Sequence, residues 1–139
     1  MTNSTASTAE LIDRLLDATN RHDLVALTAC FAPGFANETP LHPARSFTGR
    51  DQVRRNWGQI FAGVPDLHAR ILSRAIGGDT VWTEWEMTGT RRDGSAHLMR
   101  GVMIFGAADG ALAWIRFYLE LVEEGGIGID QAVQTQVSR

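Results

Sequence analysis

Three side chains in this sequence, Glu38, His42 and His97, are candidates for moving a proton. Glu38 lies in a short segment predicted to be a strand. A carboxylate placed against Trp, Phe and Met side chains loses solvation, which raises its pKa. Such a group suits acid/base catalysis near neutral pH, typically worth about 10²–10⁴-fold in rate. The structural alternative is that Glu38 accepts a hydrogen bond from the backbone or from Arg45 in the following loop.

The two histidines are candidates for an assisting role. His42 follows Glu38 by four residues and is expected to face the same cavity mouth, and His97 enters a strand on its apolar side, at the expected cavity rim. A lone histidine is more often a surface or hydrogen-bonded structural residue than a catalyst, and His68 and His22 are read that way. In particular, His22 lies in a turn between helices and is expected to be solvent-exposed.

The sequence lacks the motifs of several other chemistries. No pair of histidines has the spacing of a metal motif such as His-Glu-x-x-His. There is no nucleophile elbow, no phosphate-binding glycine loop and no dinucleotide fingerprint. We therefore predict neither a metal nor a cofactor. Arg91 and Arg92 lie at a predicted hairpin tip, where a solvated loop is the first interpretation and contact with an anionic ligand group the second.

Composition sets the broad class of protein. The 139 residues, 44% of them hydrophobic and 21% charged, suit one globular domain with a real core. A net charge of −3 argues against nucleic acid or an anionic membrane surface as a partner. A single cysteine, Cys30, excludes an internal disulfide and a multi-cysteine zinc site. With no apolar run long enough to span a membrane and no signal-peptide core, we expect a cytoplasmic protein.

The stretch from Thr80 to Val122 predicts three strands joined by two tight turns. Asp93-Gly94 and Asp109-Gly110 separate segments of alternating polarity, which is a strong hairpin signal. Successive side chains of a strand point to opposite faces, so the alternation defines an inner, apolar face. With three side chains of a preceding helix, it supplies the predicted wall of a substrate pocket: Trp57, Ile60, Phe61, Trp85, Met87, Met99, Met103, Ile115, Phe117 and Leu119.

The opposite face of the same strands mixes charges with large aromatic side chains. Glu84, Glu86, Arg116 and Glu120 could be an active site, but opposite charges on neighbouring strands also pair structurally across a sheet. Aromatic and arginine side chains are enriched at subunit interfaces. We therefore predict a homodimer through this outer face, whose members include Trp82, Glu84, Arg100, Trp114, Arg116 and Tyr118.

The rest of the chain predicts helices packed against that sheet. Helices are expected to begin near Thr8, Leu24 and Arg50, and a short strand is expected between Phe35 and Thr39. Helices segregated from an antiparallel sheet define an α+β domain. We expect a strongly curved antiparallel sheet wrapped around helices and enclosing an apolar cavity. The expected domain covers residues 8–123, with a disordered N-terminus at 1–7 and a tail at 124–139.

This order of elements resembles the nuclear transport factor 2-like superfamily, and most of all its SnoaL-like polyketide cyclase and limonene-epoxide hydrolase branches. The resemblance implies a cone-shaped α+β barrel. The resemblance spans roughly residues 8–123. The superfamily includes hydrolases, isomerases, cyclases and non-catalytic binding domains. The matching strings are Arg21-His22-Asp23, Phe31-Ala32-Pro33, Glu38-Thr39-Pro40, Gly49-Arg50-Asp51-Gln52-Val53, Trp82-Thr83-Glu84, Gly101-Val102-Met103-Ile104-Phe105, Asp109-Gly110 and Trp114-Ile115-Arg116-Phe117-Tyr118-Leu119-Glu120.

The resemblance also implies where the family chemistry should sit, and this chain departs from it. The last-strand aspartate, used by both branches, is replaced by Phe117. The arginine and aspartate of the epoxide hydrolases fall on Trp85 and Met87, and their tyrosine and asparagine on Ala36 and Glu38. Neither mechanism carries over intact. What remains is Glu38, near the place where ketosteroid-isomerase-like relatives keep a carboxylate.

Two classes of function follow from these observations. The first is an enzyme that isomerises, cyclises or opens an epoxide on a hydrophobic small molecule, with Glu38 as base and His42 or His97 assisting. The second is a non-catalytic homodimer that binds a hydrophobic metabolite in the same pocket, which its Met-rich wall would suit equally. In a third reading, side chains close the cavity and the protein works only through its dimer face.

Overall fold

The computed structural model describes residues 6–138, which form α-helices and a single six-stranded sheet. This confirms the α+β class. The α-helices are α1 (Thr8–Asn20), α2 (Leu24–Ala29), α3 (Arg50–Gly63) and α4 (Ile129–Val137), and a 3₁₀ turn covers Pro43–Arg45. The strands are β1 (Phe31–Glu38), β2 (Phe47–Thr48), β3 (His68–Gly77), β4 (Thr80–Thr90), β5 (Ala96–Ala108) and β6 (Ala111–Leu121).

The first two helices begin at side-chain caps. Ser7 Oγ accepts a hydrogen bond from the Glu10 backbone N–H at 3.1 Å, and Asp23 Oδ1 accepts one from Ala26 N–H at 3.0 Å. Each cap satisfies a backbone donor that the helix leaves free, an effect worth about 1 kcal/mol. Ser7 therefore has a defined role and Ala6 packs against the core, whereas residues 1–5 of the predicted disordered N-terminus lie outside the described range.

Strand β1 begins earlier than the sequence predicted. The short strand was expected to begin only at Phe35, after Pro33 and Gly34. In the structure the strand starts at Phe31 and includes Pro33. Proline has no N–H to give to a sheet ladder. It is tolerated because the pairing of β1 with β6 is irregular between Phe31 and Ala36.

The six strands form a curved, open sheet in the order β2-β1-β6-β5-β4-β3. The meander from β3 to β6 is antiparallel, as predicted, but β1 runs parallel to β6. The sheet is therefore mixed rather than purely antiparallel. Hairpins force consecutive strands to be antiparallel, whereas β1 and β6 are separated by most of the chain and are free of that constraint.

The register confirms the predicted inner and outer faces of the meander. Met87 lies opposite Met99, and Met103 lies opposite Phe117, so the apolar side chains of three strands share one face. On the other face, Arg100 lies opposite both Glu86 and Glu120. A shift of one residue would exchange the faces, so hydrophobic burial fixes this register.

Gly101, in the middle of β5, is a point of close approach to β6. Its φ is 154°, and a Cβ at this position would collide with the Tyr118 carbonyl group and lie 2.7 Å from Leu119 Cα. Only glycine allows the two strands to approach this closely. Trp85 lies opposite it on β4.

The core lies between the inner face of the sheet and the first three helices. Ile12 of α1, Leu27 just before the end of α2 and Phe105 of β5 are completely buried in one cluster. The C-terminal helix α4 lies outside this core, with Ile129, Val133 and Val137 exposed. Part of the inner face is thus packed against the helices, and another part lines a cavity.

Candidate functional site

A cavity of about 260 Å³ lies between the inner face of the sheet and helix α3. Its volume is slightly below the range of about 300–1,000 Å³ that is usual for ligand sites, so it suits a small molecule. The wall is mostly apolar, with aromatic side chains from β1, β2, α3 and β6: Phe31, Phe35, Phe47, Trp57 and Phe117.

Eight of the ten predicted wall residues lie on this cavity. They come from α3 and from the three strands of the meander, and they are Trp57, Ile60, Met87, Met99, Met103, Ile115, Phe117 and Leu119. Their shared position follows from the period-two pattern of the strands and the spacing of α3. That they bind a substrate stays a prediction.

The other two predicted wall residues are placed differently. Trp85 is buried in the core, where its indole N–H donates to Thr83 Oγ1 at 2.6 Å. Phe61 stacks on the ring of His22, with centroids 4.5 Å apart. His22 is itself half-buried and hydrogen-bonded to the Leu67 carbonyl at 2.7 Å, so the expectation that it is solvent-exposed was wrong.

Glu38 points away from the cavity, so its predicted position was wrong. In the parallel pairing of β1 with β6, Asn37 lies beside Ile115 and Glu38 beside Arg116. The Glu38 side chain is 63% exposed, and its Oε2 lies 3.6 Å from Arg116 Nε on the outer face. Successive side chains of a strand point to opposite faces. Because Asn37 points to the inner face, Glu38 must point to the outer face.

His97 lies on the cavity wall, in agreement with the parity of its strand. Its Nε2 is buried and has no hydrogen-bond partner among residues 6–138. Burial lowers the pKa of the imidazole, and the positive charge of Arg91 lowers it further. The ring therefore stays neutral at neutral pH, with one nitrogen able to accept a proton.

His42 lies beside the cavity rather than on its wall. Its Nε2 contacts Glu120 Oε1, and Arg45 Nη1 lies 3.9 Å from the same oxygen. Glu120 and Arg45 both line the cavity. The pair connects the loop before the 3₁₀ turn to the end of β6. Both side chains are more than a third exposed, so the contact is well solvated.

Three uncharged polar wall residues, Asn37, Thr39 and Asn56, were missed by the sequence reasoning, as were the charged wall residues Arg45 and Glu120. Asn37 and Thr39 are buried, and Asn37 Nδ2 donates to Thr39 Oγ1 at 3.0 Å. Asn56 Oδ1 accepts from Gln52 at 2.7 Å, which leaves its own N–H groups for a ligand. The signal for the first two was the alternation Phe35, Asn37, Thr39.

The outer face carries paired charges. Glu86 is nearly buried there, and its two carboxylate oxygens accept from Arg70 Nε at 2.8 Å and Arg100 Nε at 2.9 Å. These hydrogen bonds hold the pKa of Glu86 below its ordinary value. The structural interpretation of these charges thus fits their geometry.

The predicted dimer residues also lie on this outer face. Trp82 is 53% exposed, and the Arg116 guanidinium lies 5.5 Å from the centre of the Trp114 ring. Trp114 covers Gly106, where any side chain would collide with the indole. Arg100 binds Glu86, while Glu84 and Tyr118 complete the surface. Self-association through this surface stays a prediction.

Two absences concern the described part of the chain alone. No three His, Cys, Asp or Glu side chains of residues 6–138 lie together in a way that could hold a metal ion. No helix in that range is long and apolar enough to cross a membrane. The predictions of no metal, no cofactor and a cytoplasmic location are not tested by these findings.

A protein-family model identifies the family to which this chain belongs. Residues 12–115 match the SnoaL-like domain, and the chain belongs to this family. The resemblance drawn from the sequence is thereby confirmed. No curated protein sequence matches the chain.

Solved structures share the fold at low sequence identity. Wild-type IdmH from Streptomyces antibioticus, a proposed polyketide cyclase, is 21% identical with a TM-score of 0.71, over 83% of this chain and 93% of that one. AclR from Streptomyces galilaeus, a proposed hydroxylase, is 18% identical with a TM-score of 0.72, over 85% and 81%. An NTF2-like protein of unknown function from Cytophaga hutchinsonii is 11% identical with a TM-score of 0.64, over 86% and 95%. At these identities the likeness shows the NTF2-like fold alone.

Proposed function

We propose that this protein is an enzyme that transfers a proton on a hydrophobic small molecule held in the inner cavity, with His97 as the catalytic base. The observation that carries the proposal is that His97 lies on the wall of an apolar cavity and that its Nε2 is buried without a hydrogen-bond partner in the described range. Buried polar atoms are nearly always hydrogen-bonded, so an exception at a cavity wall marks a candidate functional group.

The proposed reaction is proton abstraction from a carbon next to a carbonyl group, leading to isomerisation or cyclisation. A neutral imidazole can accept that proton near neutral pH. The negative charge that develops on the carbonyl oxygen needs hydrogen-bond donors. The N–H groups of Asn56 and the hydroxyl group of Thr39 supply candidates on the same wall. Proton transfer of this kind agrees with the description of IdmH as a proposed polyketide cyclase.

His42 has a positioning role in this proposal. Its pair with Glu120 holds the loop beside the cavity, and Arg45 extends the contact. Glu120 is the only Asp or Glu among the described residues that line the cavity. Acid-assisted epoxide opening, which would draw on carboxylates at the reacting atoms, is therefore the least supported of the predicted reactions.

The working unit in this proposal is a homodimer formed through the outer face. Trp82, Trp114 and Arg116 give this surface the aromatic and arginine composition typical of protein interfaces. Such a dimer uses the face of the sheet opposite the one that, with helix α3, supplies most of the cavity wall.

The second candidate function is non-catalytic binding of a hydrophobic metabolite. One observation favours it: the carboxylates of the related epoxide hydrolases and cyclases are replaced by Phe117 and Met87, and both lie on the cavity wall. Methionine packs adaptably around apolar ligands. A binding protein would need nothing more from this cavity than its shape.

The experiment is turnover followed by mass spectrometry. A panel of small hydrophobic β,γ-enones, hydroxy-enones and epoxides is offered to the wild type, to His97→Gln and to His68→Gln. His68 is an exposed histidine outside the cavity, so its variant controls for the loss of any imidazole. We expect product from the wild type and His68→Gln, and at least a 100-fold lower rate from His97→Gln.

The other outcomes decide between the two functions. Equal turnover by His97→Gln would leave an enzyme but remove His97 as its base. No product from any variant, together with tight binding of an apolar compound by all three, would establish the binding protein instead.

A further inference from the structure

A second, more open space lies on the other side of His97. It is a surface groove of about 510 Å³, formed by the last turns of α3, Val64 and the β4–β5 hairpin. His97, Asn56 and Ile60 line both this groove and the inner cavity. The imidazole thus stands between an apolar interior and a solvent-facing groove.

Hydrogen bonds hold the two sides of the groove together. Arg92 Nε donates to the Ala62 carbonyl at the end of α3 at 2.7 Å, and Asp66 Oδ1 accepts from Thr90 N–H at 2.7 Å. Arg91 Nη1 donates to the Ala96 carbonyl at 2.6 Å, across the base of the hairpin. Arg91 is therefore fixed by its own hairpin, and the hairpin is fixed to the helix.

The charge of the groove has one sign. Among the described residues that line it, Arg91 is the only charged one, beside the polar Asn56, Gln59 and His97. The neighbouring Asp93 sits at the hairpin tip, where its Oδ1 accepts from Ser95 N–H and Ser95 Oγ. Arg91 Nη1 also donates to Ser95 Oγ at 3.3 Å, so the N–H groups of Arg91 Nε and Nη2 remain for an anion.

We propose that the ligand of this site is an amphiphile, with an apolar body in the inner cavity and a carboxylate group bound by Arg91 in the groove. Guanidinium groups bind carboxylates through two parallel hydrogen bonds, which gives both affinity and orientation. In this proposal Arg91 contacts the ligand, whereas Arg92 holds the hairpin to the end of α3. This inference rests on the proposed function for the use of the cavity, and it adds the substrate class.

The same arrangement fixes where such a substrate would react. His97 lies at the junction of the two spaces, so it faces the carbons that join the apolar body to the carboxylate. Proton transfer is therefore expected within a few bonds of the acid group. A compound with its acidic C–H at the far end of the apolar body would bind without reacting.

The test compares one apolar acid with its neutral ester. 2-Naphthylacetate and its methyl ester are titrated into the full chain by isothermal titration calorimetry. We expect the wild type to bind the acid about tenfold tighter or more, as a charge-assisted hydrogen bond implies. In Arg91→Gln the two affinities become equal through weaker binding of the acid. The adjacent Arg92→Gln is the matched control and keeps the wild-type preference.

A third variant keeps the experiment decisive if Arg91→Gln disturbs the hairpin. Arg91→Lys retains the charge, and we expect it to restore part of the preference for the acid. Equal binding of acid and ester by the wild type, or an acid preference that survives in Arg91→Gln, overturns the inference while leaving His97 catalysis untouched. Conversely, an Arg91-dependent preference with full turnover by His97→Gln would support this inference and remove the proposed base. Failure of the wild type to bind either compound would overturn the amphiphile proposal.

Discussion

The outer and inner faces of the same three strands differ in whether their buried polar atoms are hydrogen-bonded. On the outer face, Glu86 is held by two arginines, and both its oxygens are hydrogen-bonded. On the inner face, His97 Nε2 is buried without a protein partner among the described residues. A satisfied charge network serves the fold, whereas an unsatisfied polar atom beside a cavity costs stability and is typical of a functional site. The comparison favours a structural role for the charged residues that are most conspicuous in the sequence, and it makes the less conspicuous His97 the candidate functional residue.

Tryptophan gives the largest expected difference between the faces. Trp85 is buried on the inner face of β4, and Trp82 is half-exposed on the outer face of the same strand. We expect Trp85→Ala to lower the free energy of unfolding by about 3–5 kcal/mol, because it leaves a large cavity and removes the partner of Thr83. Urea denaturation of the purified protein measures this loss.

Trp82→Ala is the matched control on the other face. It should leave the urea midpoint of the isolated chain nearly unchanged and instead weaken self-association, measured by sedimentation across a range of protein concentrations. A large loss of stability from Trp82→Ala at concentrations where the wild type is monomeric would mean that the outer face belongs to the core. Unchanged self-association would count against the proposed dimer surface.

A smaller effect is expected for the charge network of the outer face. The folded-state pKa of Glu86 is held below 4.5 by Arg70 and Arg100, so its contribution to stability is present above pH 4.5 and is lost as the pH falls through the lowered value. Glu86→Gln should therefore melt at a lower temperature than the wild type at pH 7. The gap should close as both are acidified below pH 4.5.

Glu84→Gln controls for the charge alone, since Glu84 is an exposed carboxylate on the same face of the same strand. Its melting temperature should follow that of the wild type at every pH. If the gap between Glu86→Gln and the wild type were constant from pH 7 to pH 3, the carboxylate charge would not be what stabilises the network.

The meander could be predicted from the sequence because it is long and regular. Strands β4, β5 and β6 alternate over many residues and are joined by Asp-Gly turns, so the register and both faces followed from the pattern alone. The parity of His97 was correct for the same reason. The local sequence pattern is enough to set the register and the faces of such a segment, without information from the elements packed against it.

The position of Glu38 could not be predicted with the same reasoning. Strand β1 contains Pro33 and Gly34, pairs irregularly with β6 and is parallel to it. Its face is therefore set by a partner strand far away in the sequence. Counting back from Asn37 to Phe35 gives the correct alternation, but only after the strand is known to be continuous. Phe61 of α3 was misplaced for a related reason. Its ring stacks on His22, which lies in the turn between α1 and α2 and is distant from Phe61 in the sequence.

The central claim is that the inner face carries a neutral imidazole that meets the ligand, and an NMR titration of the His97 ring tests it most directly. Burial and Arg91 lower its pKa from 6.5, so the folded ring should titrate below pH 6.5 and remain neutral at pH 7. Addition of 2-naphthylacetate should shift the His97 ring signals and leave those of exposed His68 in place. A His97 ring that titrates at or above pH 6.5 and does not respond to any cavity ligand would contradict the account.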